Sequence, residues 1–96
     1  MEKVRHPILS KSNHKLLAVY WEDSRRSSDM YSPEELKEFP CAYIWTIGFG
    51  YELEDKVVLA SEFYPELTEQ KEMYRNVYSI PKTCILQVIT LGEFKA

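Results

Sequence analysis

The chain has few of the residues on which metal centres, disulfides and nucleophilic active sites depend. It contains two histidines and two cysteines, and their spacing matches no zinc pattern, so we expect no metal site. Cys41 and Cys84 have no paired spacing, and we expect both to be buried free thiols. His6 and His14 lie in a polar N-terminal stretch, where we expect them to be solvated. With no serine in a nucleophile elbow, the sequence predicts neither catalytic residues nor a cofactor.

Long apolar runs and an excess of positive charge are also missing. No apolar segment is long enough to span a membrane, and residues 1–15 lack the apolar core of a signal peptide. The formal net charge is −3, whereas non-specific nucleic-acid binders carry an excess of positive charge. We therefore expect a cytoplasmic protein that does not bind membranes, and we rank nucleic acid below other partners.

Aromatic side chains, by contrast, are abundant. The 96 residues include seven Tyr, four Phe and two Trp, and 45% of the chain is hydrophobic and 28% charged. This length and composition are typical of one soluble globular domain. Aromatic residues favour strands and dominate core and interface contacts. We predict a flexible arm over residues 1–14 and one small β domain over residues 15–96.

Five segments show the alternation of apolar and polar residues that is typical of β-strands. The predicted strands cover residues 15–22, 41–52 and 56–64, and two more lie within residues 73–91. The last two meet at the corner Ile80-Pro81-Lys82, because Pro81 has no N–H and cannot lie in a central ladder. Gly48 and Gly50 fall inside the second strand, where they indicate a bulge, a bend or the close approach of another backbone.

A short helix is predicted between the first two strands. Ser32 is its N-cap, Pro33 occupies its first position and Glu35 completes a capping box, while Pro40 prevents its continuation. Short strands separated by turn signals are typical of small sandwiches and barrels. The sequence therefore predicts a mainly β fold, a single five-stranded, strongly bent antiparallel sheet or barrel with one short helix between strands 1 and 2.

The aromatic residues supply the first candidate binding site. A small barrel cannot bury all of its Tyr and Trp side chains on one inner side, and exposed ones anchor interfaces. We therefore expect a protein partner or a second copy of the chain. The alternative interpretation is that the aromatic residues fill a shallow core. The predicted interface residues are Tyr20, Tyr43, Trp45, Tyr64 and Tyr78.

The polar loop of residues 23–30 supplies the second candidate site. Its two arginines offer paired donors to a phosphate or carboxylate, so a nucleic acid or small anionic ligand is the less favoured type of partner. The alternative interpretation, which we favour, is a solvated loop whose Asp and Ser side chains bind its own backbone. The predicted ligand-binding residues are Asp23, Ser24, Arg25, Arg26, Arg75 and Lys82.

Several short motifs resemble small uncharacterised proteins of bacteriophages and prophage regions. They are V-Y-W-E-D-S at residues 19–24, a capped helix at 32–39, T-I-G at 46–48, V-V-L-A-S at 57–61 and I-P-K at 80–82, and together they extend over most of residues 16–91. The resemblance implies a bacterial host cell and brings no activity or site residue with it. The architecture is similar to Sm-like small β-barrels, although the basic and aromatic RNA-contact motifs of Sm proteins have no counterpart here. The expected function is that of a non-enzymatic binding protein.

Overall fold

The computed structural model describes residues 13–64 and 71–95, which form one antiparallel sheet and one short helix. The elements are β1 (Asn13–Asp23), α1 (Pro33–Lys37), β2 (Ala42–Glu52), β3 (Lys56–Tyr64), β4 (Met73–Pro81) and β5 (Ile85–Lys95), with a 3-10 turn at Lys82–Cys84. The prediction of a mainly β fold with five antiparallel strands is confirmed. Of the two predicted forms, the structure has the bent sheet, since its described strands do not close into a barrel.

The largest differences from the predicted strands occur at the start of β1 and the end of β5. β1 begins at Asn13 and β5 continues to Lys95, because these two ends pair with each other. Of the predicted arm, residues 1–12 lie outside the described residues, while Asn13 and His14 belong to β1. His14 is only 6% exposed and its ring lies 4.3 Å from that of Phe63, so the expectation that it is solvated is wrong.

The order of strands in the sheet is β4-β3-β2-β1-β5. β4 and β5 thus lie on opposite edges, yet only the turn Lys82–Cys84 joins them. Strands are spaced about 4.8 Å apart, so a flat sheet of this order would separate its edges by about 19 Å. A 3-10 turn of this length spans only about 6 Å. The sheet must therefore curl until the end of β4 meets the start of β5.

β2 changes partners along its length. It pairs with β1 over most of its residues but with β3 only over residues 49–52. A Cβ atom on Gly48 would lie 2.6 Å from the carbonyl oxygen of Ala60, and one on Gly50 only 1.8 Å from that of Val58. The two glycines are required because the backbone of β3 approaches β2 this closely, which is one of the three explanations that the sequence left open.

The concave side of the curled sheet holds the core. Leu17, Val19 and Trp21 alternate along β1 and face inward, as their spacing predicts. The fully buried members of the core are Leu17, Val19, Val57, Leu59 and Ile80, and Trp21, Cys84, Ile85 and Val88 pack against them. Cys84 is accordingly half-buried. Cys41 is exposed just before β2, so the expectation that both thiols are buried is wrong for Cys41.

Local hydrogen bonds cap the helix α1. Ser32 Oγ accepts a hydrogen bond from the Glu35 N–H (3.2 Å), and Glu35 Oε1 accepts one from the Ser32 N–H (3.1 Å). This is the predicted capping box, and hydrogen bonds from the backbone N–H and the side chain of Ser32 to the Glu35 carboxyl lower the pKa of that carboxyl. No residue of α1 is buried, so the helix shapes the connection between β1 and β2 without adding to the core.

Candidate interaction surface

Three aromatic rings stack on the outer side of β1 and β2. Tyr20 points away from the core because side chains alternate along a strand and its two neighbours in β1 face inward. It lies opposite Trp45 in the register, with ring centroids 4.9 Å apart, and Tyr43 lies 6.1 Å away on its other side. Both pairs of rings are inclined by only 28°. Tyr20, Tyr43 and Trp45 are called the aromatic face below.

The aromatic face is open to solvent and continues into further apolar surface. Tyr43 is 54% and Trp45 48% exposed, while Tyr20 is half-buried between them. Ile47 of β2 and Ile89 of β5 are exposed on the same side of the sheet. With roughly 100 Å² from each exposed side chain, the patch is on the order of 400 Å², the size of functional patches on monomeric proteins.

One end of the aromatic face is acidic. Glu22 lies opposite Tyr43 in the register, and its negative charge raises the pKa of the Tyr43 phenol. A hydrogen bond to Glu22 also raises the pKa of the Cys41 thiol. Both groups resist becoming anions because a carboxylate is already present beside them. This end of the surface therefore repels phosphates and attracts cations.

The other two predicted interface residues lie on the hairpin of β3 and β4. Tyr64 donates a hydrogen bond to Glu62 (2.8 Å), which raises the pKa of the phenol, and the guanidinium of Arg75 lies 5.7 Å from its ring centroid. Tyr78 of β4 is opposite Leu59 and is 51% exposed. The structure thus brings three of the five predicted residues into one cluster.

The loop that follows β1 is exposed and makes hydrogen bonds within itself. Asp23 Oδ1 accepts from the Ser24 N–H (2.7 Å), and Ser27 Oγ accepts from the Asp29 N–H (3.1 Å). These are the contacts of a solvated loop whose side chains bind its own backbone. The guanidinium of Arg25 lies over the ring of Phe39, 5.3 Å from its centroid.

The two more distant cations of the predicted ligand site are each bound by a carboxylate. Arg75 donates to both carboxylate oxygens of Glu62, at 2.9 and 2.8 Å, through its terminal nitrogen. Lys82 Nζ lies 2.7 Å from a carboxylate oxygen of Glu52. Arg25, Arg75 and Lys82 therefore each have a partner of their own, and no contact in the described residues joins them into one anion site.

A polar chain that the sequence did not indicate lies beside β4. The hydroxyls of Tyr51 and Tyr74 are 3.0 Å apart, Tyr74 donates to Glu72 (3.1 Å), and the other oxygen of Glu72 lies 3.8 Å from His14 Nε2. Burial, Tyr51 and Glu72 together raise the pKa of Tyr74. The two tyrosines also line a small apolar pocket of about 130 Å³. Only the pairing of distant strands creates this chain, so local patterns contain no signal for it.

The described residues offer neither a metal site nor a membrane-spanning helix. They contain no cluster of three or more His, Cys, Asp or Glu side chains able to hold a metal ion. None of their helices is long and apolar enough to cross a membrane. Comparisons of the chain with protein-family models, with curated proteins and with solved structures find no match.

Proposed function

We propose that this chain is a non-enzymatic protein-interaction module and that the aromatic face is its contact surface. The observation that supports this best is the stacking of Tyr20, Tyr43 and Trp45 on the side of the sheet opposite the core. Rings that served only to fill the core would lie on the concave side. Large aromatic side chains are the residues that most often carry binding energy at the centre of interfaces.

The surroundings of the aromatic face indicate the chemistry of the partner. The apolar patch favours a partner that has an apolar surface of its own. The carboxylate of Glu22 beside Tyr43 favours Lys or Arg at the rim of that partner surface. An Arg side chain there could also stack on the exposed ring of Trp45. The resemblance to phage and prophage proteins makes the bacterial host and the phage itself the sources in which to search for this partner.

Binding of a nucleic acid or small anionic ligand through Arg25 and Arg26 is the second candidate. Both side chains are exposed on the loop directly after β1, and aromatic rings capable of stacking on bases lie on β1 itself. Glu22 and Asp23, at the end of β1, lie between these arginines and the aromatic face, and the whole chain carries a net charge of −3. These negative charges oppose a polyanion, so we rank this function second.

The test begins with a pull-down of partners from a phage-infected or lysogenic bacterial host. The dissociation constant for the purified partner is then measured for the unmodified chain, for Trp45→Ala and for Tyr78→Ala. Tyr78 is a suitable control because it is 51% exposed but lies on β4. We expect Trp45→Ala to weaken binding about 30-fold, the effect of losing an interface residue worth about 2 kcal/mol. Equal affinities for Trp45→Ala and the unmodified chain would contradict the proposal.

A further inference from the structure

The two edges of the sheet are unequal, and β4 is the protected one. Asn76, in the middle of β4, has a positive φ of 58°, which interrupts a regular strand. Pro81 at the end of β4 has no N–H to donate, and Arg75 places a charge on the same edge. A further strand could therefore pair with only short pieces of β4.

The edge formed by β5 lacks these protections. Residues 85–92 include neither a charged residue nor a proline. Leu86, Ile89 and Leu91 are exposed along it, and in the described part of the chain its only strand partner is β1. A long, uncharged edge with apolar side chains is a template for the addition of another strand.

Two β-bulges determine where such a strand can pair. The register between β1 and β5 shifts twice, and at each shift β5 contributes one extra residue, first Leu86 and then Leu91. Bulges bend and twist a strand, so regular pairing is confined to residues 87–90 between them. The middle of this stretch lies between Val88 and Ile89.

We propose that β5 pairs antiparallel with β5 of a second copy of this chain, about a two-fold axis at Val88 or Ile89. This inference rests on the proposed function, because the second copy is one of the protein partners that it predicts. A two-fold contact uses the same surface on both copies and so needs only the β5 edge. A head-to-tail contact between β4 and β5 would need the interrupted β4 edge as well.

The lack of charge along residues 85–92 is compatible with a second copy as the occupant. Two chains of net charge −3 repel each other, but the uncharged residues 85–92 place no like charges opposite each other at the contact. With about 3.4 Å per residue, the uncharged segment 85–92 offers an edge about 27 Å long, with regular pairing over its middle four residues, and it hides on the order of 400 Å² per copy. This is below the ~800 Å² per partner of a standard interface, so the dimer should dissociate at micromolar concentrations.

The pairing would place both aromatic faces on the same side of one continuous sheet. A two-fold axis between antiparallel neighbouring strands is perpendicular to the sheet, so the outer faces of the two copies coincide. β2 is two strands away from the β5 edge, and five strand spacings therefore separate the two copies of Trp45. At about 4.8 Å per spacing, the two binding surfaces lie about 24 Å apart when the distance is measured across the strands along the curled sheet. The dimer would offer a bivalent surface to its partner.

The experiment measures the mass of the full chain by light scattering over a range of concentrations. We expect the unmodified chain to change from monomer to dimer in the micromolar range. Ile89→Lys and Ile89→Glu should each weaken the dimer at least tenfold, because both registers place position 89 beside its own copy, directly or diagonally. An equimolar mixture of the two variants should restore the dimer, because opposite charges then meet. Gln87→Lys is a second probe of the same edge, should Ile89→Lys impair folding.

Two controls make the possible outcomes distinct. Val77→Lys changes a more exposed site on β4, 68% exposed against 38% for Ile89, and should leave the dimer intact. A monomer at all concentrations, a dimer unaffected by Ile89→Lys, or one dissociated by Val77→Lys would each overturn the inference. Trp45→Ala should leave the mass unchanged while it weakens binding of the host partner. If only the dimer proposal is wrong, Trp45→Ala still weakens binding of the host partner. If the proposed function is wrong, Trp45→Ala leaves that binding unchanged.

Discussion

Adding one methyl group at Gly50 should destabilise the fold more than adding the same group at Gly48. In open space, replacing a strand glycine by alanine stabilises a protein by about 0.5–1 kcal/mol, because the unfolded chain loses freedom. Here the new Cβ would lie 1.8 Å from a carbonyl oxygen of β3 at Gly50 and 2.6 Å from one at Gly48. To restore ordinary contact distances, β3 must move by about 1.6 Å and about 0.8 Å, respectively.

The larger displacement breaks the pairing of Gly50 with Leu59, while the smaller one only strains the sheet. Over-packing of this kind costs about 1–3 kcal/mol and more where backbone must move. We expect a loss of about 3 kcal/mol for Gly50→Ala and about 1.5 kcal/mol for Gly48→Ala. With a denaturant slope of about 1.5 kcal/mol per molar urea, the unfolding midpoints should fall by about 2 M and about 1 M.

Urea unfolding followed by far-ultraviolet circular dichroism measures both midpoints. Ser61→Ala is a suitable control, because Ser61 is exposed on β3, and its midpoint should stay within the range of about 0.5 kcal/mol that is usual for surface changes. An unchanged or raised midpoint for Gly50→Ala would refute the close approach of β3 to β2. So would a larger loss for Gly48→Ala than for Gly50→Ala.

Three further predictions concern the core, acid stability and the loop. Ile80→Ala should lower the free energy of unfolding by about 2–5 kcal/mol, whereas Val77→Ala, on the exposed side of the same strand, should change it by less than about 0.5 kcal/mol in urea titrations. Hydrogen bonds from Tyr64 and Arg75 lower the folded-state pKa of Glu62 below 4.5, so ionised Glu62 stabilises the fold. That stabilisation is lost as the pH falls from about 4.5 through the folded-state pKa. Glu62→Gln should therefore lose less stability than the unmodified chain between about pH 5 and about pH 3, and an equal loss would show that Glu62 does not contribute. Replacing both Arg25 and Arg26 by Ala should leave the urea midpoint unchanged, and a weakened affinity for a single-stranded oligonucleotide would promote the loop from second candidate to first.

Local sequence patterns predicted the elements of this fold better than their partners. The capping box at Ser32, the alternation along β1 and the corner at Pro81 each depend on neighbouring residues, and each is present. The pairing of Asn13 with Lys95 depends on residues at the two ends of the chain. Neither end alternates enough to indicate a strand alone, which is why the start of β1 was predicted too late and His14 was expected in solvent.

In the candidate site, too, local patterns predicted the exposed residues better than their partners. Strand alternation and the number of aromatic residues predict that some tyrosines are exposed, but not which of them meet. Tyr20 stacks on Trp45 because the register of β1 with β2 places them opposite each other, and the long connection through α1 leaves that register open in the sequence. The pairing of β3 with β4 likewise places Arg75 opposite Glu62, with which it forms an ion pair. An isolated arginine in a sequence does not reveal the carboxylate that will neutralise it.

Site-specific photocrosslinking in a phage-infected or lysogenic bacterium, the source proposed above for the partner, is the most direct test of the aromatic face. A benzophenone side chain replaces Tyr43 in one variant and Tyr78 in another, two positions that are 54% and 51% exposed on different parts of the sheet. After irradiation, we expect a covalent adduct with a distinct protein from position 43 and little or none from position 78. Adducts of equal yield from both positions, or an adduct from position 78 alone, would contradict this expectation.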